Sequence, residues 1–224
     1  RGKTWVDVES GAGAGAGSGA GGCPFGLYTY EVFGPENYDR WFQEYMQNRK
    51  ETHMWADADF NKPGLELVTP RPRHRLYRPI LDELVLMREE EADTVTAFAH
   101  MPEEAAETYG APRRICVIYR FDRAGRFIDA ELRWFDKDEN RMPEAGWFSF
   151  GLNVDNPNRL TMDKLGMPVS PLDVVKDGNR NLHAVGAGVS YDGADGGVEI
   201  VTLDAALLSP GERRLLQFSN TFAP

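Results

Sequence analysis

Apolar and polar residues alternate in short stretches along most of the chain, which is the pattern of half-buried β-strands. The clearest case is a predicted hairpin, with strands around residues 115–121 and 128–134 on either side of a turn at Asp122–Gly125. Further strands are predicted at Leu27–Val32, Thr94–His100, Gly146–Phe150, Leu182–Tyr191, Gly197–Leu203 and Arg213–Phe218. Many short strands separated by turn residues predict a mainly β fold, an antiparallel β-sandwich.

One stretch has helical rather than alternating periodicity. After Gly34-Pro35, five apolar residues follow at helical spacing and form a single stripe: Tyr38, Trp41, Phe42, Tyr45 and Met46. Proline suits the first turn of a helix. We therefore expect one amphipathic helix on the surface of the sandwich, with its aromatic stripe against a sheet.

Three further segments are less regular. The Pro- and Arg-rich segment Pro63–Pro79 is expected to be extended and partly at a sheet edge, because proline cannot donate to a ladder. Ile80–Glu91 fits a helix by propensity and a strand by its neighbours, and we predict a strand. Pro102–Tyr109 is predicted to be a short helical turn closed by Gly110.

Glycine and alanine alternate in residues 10–22, which offers no side chains to bury. We expect this segment to be a flexible loop between strands. The rest of residues 1–224 is expected to be a single β-sandwich domain. The chain starts mid-pattern at Arg1 and stops just after a predicted strand, so we expect it to be truncated at both ends, and its localisation is left open.

The composition is that of a folded chain with few chemical specialisations. Hydrophobic residues make up 42%, and 25 Lys plus Arg stand against 35 Asp plus Glu, a formal net charge of -10. This charge opposes nucleic acid and anionic membranes, and we expect neither as a partner. Two cysteines, Cys23 and Cys116, are expected to be free thiols, since they form neither a disulfide framework nor a zinc pattern.

A sugar site is the first functional hypothesis from the residues. Four residues at or after a turn could bind the hydroxyl groups of a sugar: Asn179, Arg180, Asn181 and His183. Trp147 or Trp55 could provide a surface on which the sugar stacks. The plainer interpretation is that Asn179 shapes the turn and His183 is a hydrogen-bonded histidine of the sheet. The two interpretations stay open.

A metal site is the second and less favoured hypothesis. On a strand, His53, Asp57 and Asp59 would share one face with Trp55, and imidazole with carboxylates can bind a divalent ion. Same-face positions on a single strand seldom converge on one ion, however, so we expect no cofactor in this chain. The sequence also lacks GxSxG, HExxH, a P-loop and a helix-opening GxGxxG.

Several stretches together resemble a known family in the order in which they occur. They are GLYTYEVFGPENYDRWFQEY, WADADFNKPGLE, APRRICVIYRFDRAGRFIDAELRWFDKDENRMPEAGWFSF, MDKLGMPVSPLDVVKDGNRNLHAVGAGVSYDG and IVTLDAALLSPG. This order resembles the C-terminal part of an uncharacterised bacterial family related to class II α-mannosidases of glycoside hydrolase family 38. Three segments are similar to successive segments of the mannosidases: Glu144–Phe150, Arg180–Ala187 and Val201–Gly211. In the third segment, Leu203 stands where the mannosidases have proline.

The resemblance implies a mutarotase-like supersandwich that follows a catalytic (β/α) barrel and a helical bundle. The barrel's His-x-Asp metal motif and nucleophile segment are absent here, so no catalytic role transfers to any residue, and a divalent metal belongs to the missing catalytic domain. The expected partners are the missing N-terminal catalytic and helical domains, with carbohydrate as a further ligand. We expect docking through the aromatic helix stripe and the Gly151–Pro171 connection.

Three functions follow as hypotheses. The first is a non-catalytic β-sandwich domain of a glycoside hydrolase-like, α-mannosidase-related protein, whose parent is an enzyme although this chain is not. The second is an independent carbohydrate-binding module, which needs an exposed aromatic platform at Trp55 or Trp147. The third is a mutarotase-type sugar enzyme, which needs a His acid and a carboxylate base, and for which His183 with Glu131 or Glu144 is the available pairing.

Overall fold

A computed structural model of the chain describes residues 25–45, 62–125, 127–175, 182–194 and 196–210. These residues fall into two compact units. The described residues within 25–35 and 64–152 form what we call the first unit, and those within 36–63 and 153–210 form the second unit. Each unit has its own hydrophobic core.

The described residues contain two α-helices, α1 (Pro35–Tyr45) and α2 (Glu103–Tyr109). The strands are β1 (Phe25–Val32), β2 (Arg75–Tyr77), β3 (Ile80–Arg88), β4 (Ala92–His100), β5 (Arg114–Asp122), β6 (Ile128–Phe135), β7 (Glu144–Phe150), β8 (Leu160–Lys164), β9 (Met167–Val169), β10 (His183–Ala184), β11 (Gly188–Gly193), β12 (Gly196–Val201) and β13 (Leu207–Leu208). All strand pairings among the described residues are antiparallel, which confirms the predicted mainly β, antiparallel fold of the β-sandwich class.

The first unit is a sandwich of two sheets. A three-stranded sheet has the order β2-β1-β7, and a four-stranded sheet has the order β3-β4-β5-β6. Tyr28, Tyr30 and Val32 of β1 form one core cluster with Ile115 of β5 and with Tyr109 of α2. Alternate residues of β1 therefore face the second sheet, as strand geometry requires.

Strand β1 is also joined to the facing sheet near its start. Tyr119 of β5 donates its hydroxyl to the carbonyl oxygens of Phe25 and Gly26, at 3.2 and 3.1 Å. Gly26 has φ +69, and a Cβ there would lie 1.6 Å from the Tyr119 oxygen. Glycine is needed at this position because it permits both the backbone conformation and the close approach.

Strand β3 confirms the strand prediction for Ile80–Glu91, which ends in the structure at Arg88. It is an edge strand, and all nine of its residues are exposed.

The predicted hairpin of β5 and β6 is confirmed as well, but fewer of its apolar residues are buried than the alternation predicts. Ile115 is buried, whereas Ile128 and Trp134, which the alternation places on the same side, are 45% and 54% exposed.

Helix α1 begins at Pro35 as predicted, and Tyr38, Trp41 and Phe42 of its stripe are buried, while Asp39 and Arg40 are exposed. Because these aromatic residues are already buried within this chain, the expectation that the stripe docks on another domain is wrong for them. Helix α2 confirms the short helical turn before Gly110, whose φ of 71 closes it in the left-handed conformation.

The expected connection Gly151–Pro171 is corrected by the structure, because it contains the hairpin of β8 and β9. Leu165 and Gly166, with φ of 57 and 81, form the two-residue loop of this hairpin. Two successive positive φ values match the favoured twist of hairpin strands, but leucine seldom adopts one. The loop therefore lacks the Asn-Gly or Asp-Gly pair that usually predicts such a hairpin.

The single strand predicted at Leu182–Tyr191 is also wrong, since β10 ends at Ala184 and β11 begins at Gly188. Between β10 and β11, two backbone N–H groups donate hydrogen bonds to Asp163. The N–H of Gly186 donates to the Asp163 carbonyl oxygen at 3.0 Å, and the N–H of Ala187 donates to the Asp163 carboxylate at 2.7 Å. These N–H groups are thus diverted from a continuous ladder.

The core of the second unit lies on the sheet β12-β11-β8-β9, beside the pair β10-β13. Met162, Val185 and Val189 are its buried residues.

The predicted loop at residues 10–22 and the predicted strand Arg213–Phe218 lie outside the described residues. Within the described part of the chain, no helix has the length and apolar character needed to cross a membrane.

Candidate functional site

Two polar clusters lie on opposite faces of β1 in the first unit. Successive side chains of a strand point to opposite faces, so Glu31 is directed away from the core that Tyr28 and Tyr30 enter. Neighbouring β7 supplies Trp147 to the face of Glu31 and Glu144 to the face of Tyr30, because Thr29 pairs with Trp147 and Val32 with Glu144. β1 and β7 therefore organise both candidate sites.

The first, the Glu31 cluster, consists of Glu31, Trp147, His74 and Phe33. The Glu31 carboxylate is buried and accepts hydrogen bonds from the Trp147 indole at 2.7 Å and from His74 Nε2 at 2.8 Å. The His74 ring stacks on Phe33, with centroids 5.8 Å apart and planes 5° from parallel. A buried carboxylate with two charge-assisted hydrogen bonds is the usual way to tolerate such burial.

The second, the Glu144 cluster, consists of Glu144, Tyr30, Lys137 and Asn140. Lys137 Nζ lies 2.7 Å from one Glu144 oxygen, and Asn140 donates to the other at 3.1 Å. The Tyr30 hydroxyl contacts the Glu144 carboxylate and also lies 2.8 Å from the carbonyl oxygen of Tyr109. The carboxylate thus joins β1, β7 and the segment after β6.

Burial keeps the tyrosines beside this cluster protonated. Burial, and then the negative charge of Glu144, raises the pKa of Tyr28 from 10.0 to about 12. The pKa of Tyr30 is raised further by burial and by its hydrogen bond to Glu144. The Tyr30 hydroxyl is therefore a hydrogen-bond donor throughout the neutral range.

The sequence-predicted sugar residues fall in different parts of the molecule. Trp147, on β7 in the first unit, is partly buried with its indole N–H engaged by Glu31, so it is not the exposed platform that a binding module needs. His183, on β10 in the second unit, is buried and pairs in register with Leu208. The remaining sugar-site candidates lie outside the described residues: Asn179, Arg180, Asn181 and Trp55. The metal-site candidates His53, Asp57 and Asp59 lie outside them as well.

The carboxylates suggested as partners of His183 have neighbours of their own. Glu131 is bonded to Arg133 at 2.6 Å on an exposed strand face, and this arginine lowers the pKa of Glu131. Glu144 has Lys137 and Asn140, as described above. Both carboxylates therefore take part in local ion pairs of the first unit.

Sequence patterns did not reveal the Glu31 cluster. An acidic residue inside the apolar stretch LYTYEV was the available signal, because a charge on a buried strand needs a partner. The partner His74 is 43 residues away, and only the pairing of β2 with β1 brings it close. Trp134 was also missed as a surface residue, since its alternation assigned it to the core.

The chemistry open to these groups is limited by their contacts. His74 and Glu31 touch at 2.8 Å, which leaves no room for a sugar between an acid and a base. What the pair can do is hold an imidazole that is 47% exposed in a fixed orientation. Within the described residues, no group of three His, Cys, Asp or Glu side chains is arranged to hold a metal ion.

The family follows from a match to part of the chain. A family model described as a domain of unknown function, DUF5054, matches residues 14–128. This range is just over half of the 224 residues. The chain belongs to the DUF5054 family. The match includes Glu31 and His74 and ends before Trp147 and His183. No curated protein and no solved structure matches the chain.

Proposed function

We propose that this DUF5054 chain is a non-catalytic β-sandwich domain of a carbohydrate-processing protein related to the class II α-mannosidases. On this proposal, the catalytic barrel, any divalent metal that it binds and the helical bundle are other parts of the parent protein. The chain supports them and takes no part in bond cleavage. The link to glycoside hydrolase family 38 comes from the order of sequence segments and is part of the proposal.

The observation that carries this proposal is how the protein uses strand β7, the segment that resembles the mannosidase pattern. Its two conspicuous polar side chains, Glu144 and Trp147, both hydrogen-bond residues of β1. The same two strands pair along most of their length. Side chains that connect two paired strands of a sandwich support a structural role, because a ligand would have to compete with these bonds.

A carbohydrate-binding module is the second candidate, favoured by one exposed aromatic residue. Trp134 on the edge strand β6 is 54% exposed. An indole face at a sheet surface is suited to stacking on a sugar ring. Among the described residues, Trp134 replaces Trp147 as the residue on which this alternative depends, and Trp55 stays a prediction.

A mutarotase-type enzyme is the third candidate and has less support. The described part of the chain has one buried carboxylate bonded to a histidine, Glu31 with His74. A two-group mechanism needs the acid and the base on different sides of the substrate. Their direct contact fits an oriented histidine better than such a pair.

Calorimetric titration of the folded chain with mannosides and other common glycans separates these candidates. The supporting role predicts no binding heat from a protein whose circular dichroism spectrum is that of a folded β protein. Saturable binding that is lost in Trp134→Ala would instead establish the module. Binding that survives Trp134→Ala and is lost in His183→Ala would place a sugar site on the Gly178–His183 segment.

A further inference from the structure

Strand β3 leaves a long apolar edge uncovered. Six of its nine residues are large and apolar, and each is between 39% and 61% exposed: Ile80, Leu81, Leu84, Val85, Leu86 and Met87. Natural edge strands are usually short, or carry lysine, proline or bulges that prevent pairing. β3 has one irregularity, between Leu81 and Glu83, and from Glu83 to Arg88 it pairs regularly with β4.

We propose that β3 pairs antiparallel with β3 of a second copy of this chain, which joins two four-stranded sheets into one of eight strands. A twofold axis through the interface makes both sides identical, so the strand must be complementary to itself. This interaction is independent of the proposed supporting role, because it concerns a different surface and requires no carbohydrate.

Among twofold axes at Leu84, Val85 and Leu86, the axis at Val85 makes β3 most complementary to itself, although it sets Glu83 opposite Met87. A twofold axis at Val85 places Leu84 opposite Leu86 of the second copy, and the same pair recurs by symmetry. Leu84 and Leu86 share one face of the sheet, since they pair with Ala97 and Val95 of β4. Apolar side chains directly opposite each other are the stabilising unit of an antiparallel pair.

Charges support the same register. With the axis at Val85, Asp82, whose carboxylate lies 2.6 Å from His100 in the single chain, is opposite Arg88 of the second copy at both ends of the paired stretch. Moving the axis to Leu86 would instead set Glu83 against Glu89, a repulsive pair on each side. Moving it to Leu84 would set Asp82 against Leu86, which loses the leucine contacts.

The segments that flank β3 also favour an antiparallel arrangement. Arg78 precedes the strand and the acidic turn Glu89–Glu91 follows it, and all four residues are exposed. Antiparallel pairing brings the basic start of one copy beside the acidic turn of the other. Parallel pairing would place acidic turn beside acidic turn, which like-charge repulsion disfavours.

Sedimentation velocity over a wide range of protein concentrations tests the proposal on the full chain. We expect a monomer–dimer equilibrium that Leu84→Lys weakens by about tenfold or more, since the symmetric interface receives the change twice. Ile128→Lys on the opposite edge strand β6 is the matched control and should leave the dimer unchanged. Both positions are exposed in the single chain, so both variants should fold, which circular dichroism checks.

Charge reversal provides a second, specific measurement. Arg88→Glu alone and Asp82→Arg alone each create two like-charge contacts and should weaken the dimer about tenfold. An equal mixture of the two variants restores opposite charges at both contacts and should dimerise like the wild type.

A wild-type chain that stays monomeric at all concentrations would overturn the proposal. A dimer that is disrupted by Ile128→Lys but not by Leu84→Lys would also overturn it. A mixture of the two charge variants that dimerises no more tightly than either variant alone would overturn it too.

Discussion

Strands β1 and β3 are similar in sequence character and opposite in environment. Both are eight or nine residues long and rich in large apolar side chains. β1 lies between β2 and β7, and six of its residues are buried, whereas β3 is at an edge and every residue is exposed. Position in the sheet, rather than hydrophobicity, thus decides which strand forms the core and which remains a surface for association.

The largest expected difference between the two strands is in truncation to alanine. Tyr30→Ala removes a buried ring from the core and should lower the free energy of unfolding by about 3–5 kcal/mol. Leu84→Ala, at an exposed position of β3, should change it by less than about 0.5 kcal/mol. Urea denaturation at low protein concentration measures both.

Tyr30→Phe serves as the control if the alanine variant does not fold, because it keeps the ring and removes only the hydroxyl contacts. Similar losses of stability for Tyr30→Ala and Leu84→Ala would contradict the contrast between the buried and the exposed strand.

Two tryptophans extend the contrast to side chains of the same type. Trp147→Phe leaves the buried Glu31 carboxylate without its indole donor and should cost about 1–3 kcal/mol of unfolding free energy. The matched change Trp134→Phe, on exposed β6, should cost less than about 0.5 kcal/mol. Equal costs in thermal or urea unfolding would show that Trp147 does not depend on Glu31.

Alkaline pH should lower the free energy of unfolding through Tyr28, a buried residue of β1. The pKa of Tyr28 is about 12 in the folded chain against an ordinary 10.0, so the folded state favours the protonated phenol. Its stabilising contribution is complete below pH 10 and is lost as the pH rises towards 12, up to about 3 kcal/mol. Urea midpoints across this range should fall for the wild type and fall less for Tyr28→Phe. An identical slope in the two proteins would exclude this origin.

The smallest contrast concerns two ion pairs. Lys137 and Glu144 are each about a quarter exposed and lie 2.7 Å apart, whereas Arg120 and Asp129 are well exposed and 3.9 Å apart. Lys137→Met should lower the free energy of unfolding by about 1 kcal/mol, and Arg120→Met should have almost no effect. High salt should not abolish the difference, because partly buried pairs are screened less. A larger effect for Arg120→Met would contradict this account.

Local patterns sufficed for much of the fold. Alternation identified the β5–β6 hairpin, Pro35 marked the start of α1, and Gly110 marked the end of α2. The hairpin at Leu165-Gly166 could not be predicted, because its loop places a leucine at positive φ. The break after β10 depends on Asp163, more than twenty residues upstream, which no local pattern contains.

The candidate site was harder to predict than the fold for the same physical reason. Trp147 could be named from its motif, but its partner Glu31 lies on another strand, and His74 reaches them only through the β2–β1 pairing. Trp134 alternates with outward residues as a core residue would, yet its place on an edge strand leaves it exposed. Contacts distant in sequence therefore decided which side chains are structural and which are accessible.

Native-state hydrogen exchange, with and without mannosides, tests the central claim most directly. If β1, which lies between β2 and β7, is the structural centre of a supporting sandwich, its amides should exchange at the slow rate set by global unfolding, and β3 should exchange much faster at low protein concentration. Mannosides should alter neither rate. Rapid exchange of β1, or mannoside-dependent protection of β1 and β7, would contradict the account and assign these strands to ligand binding.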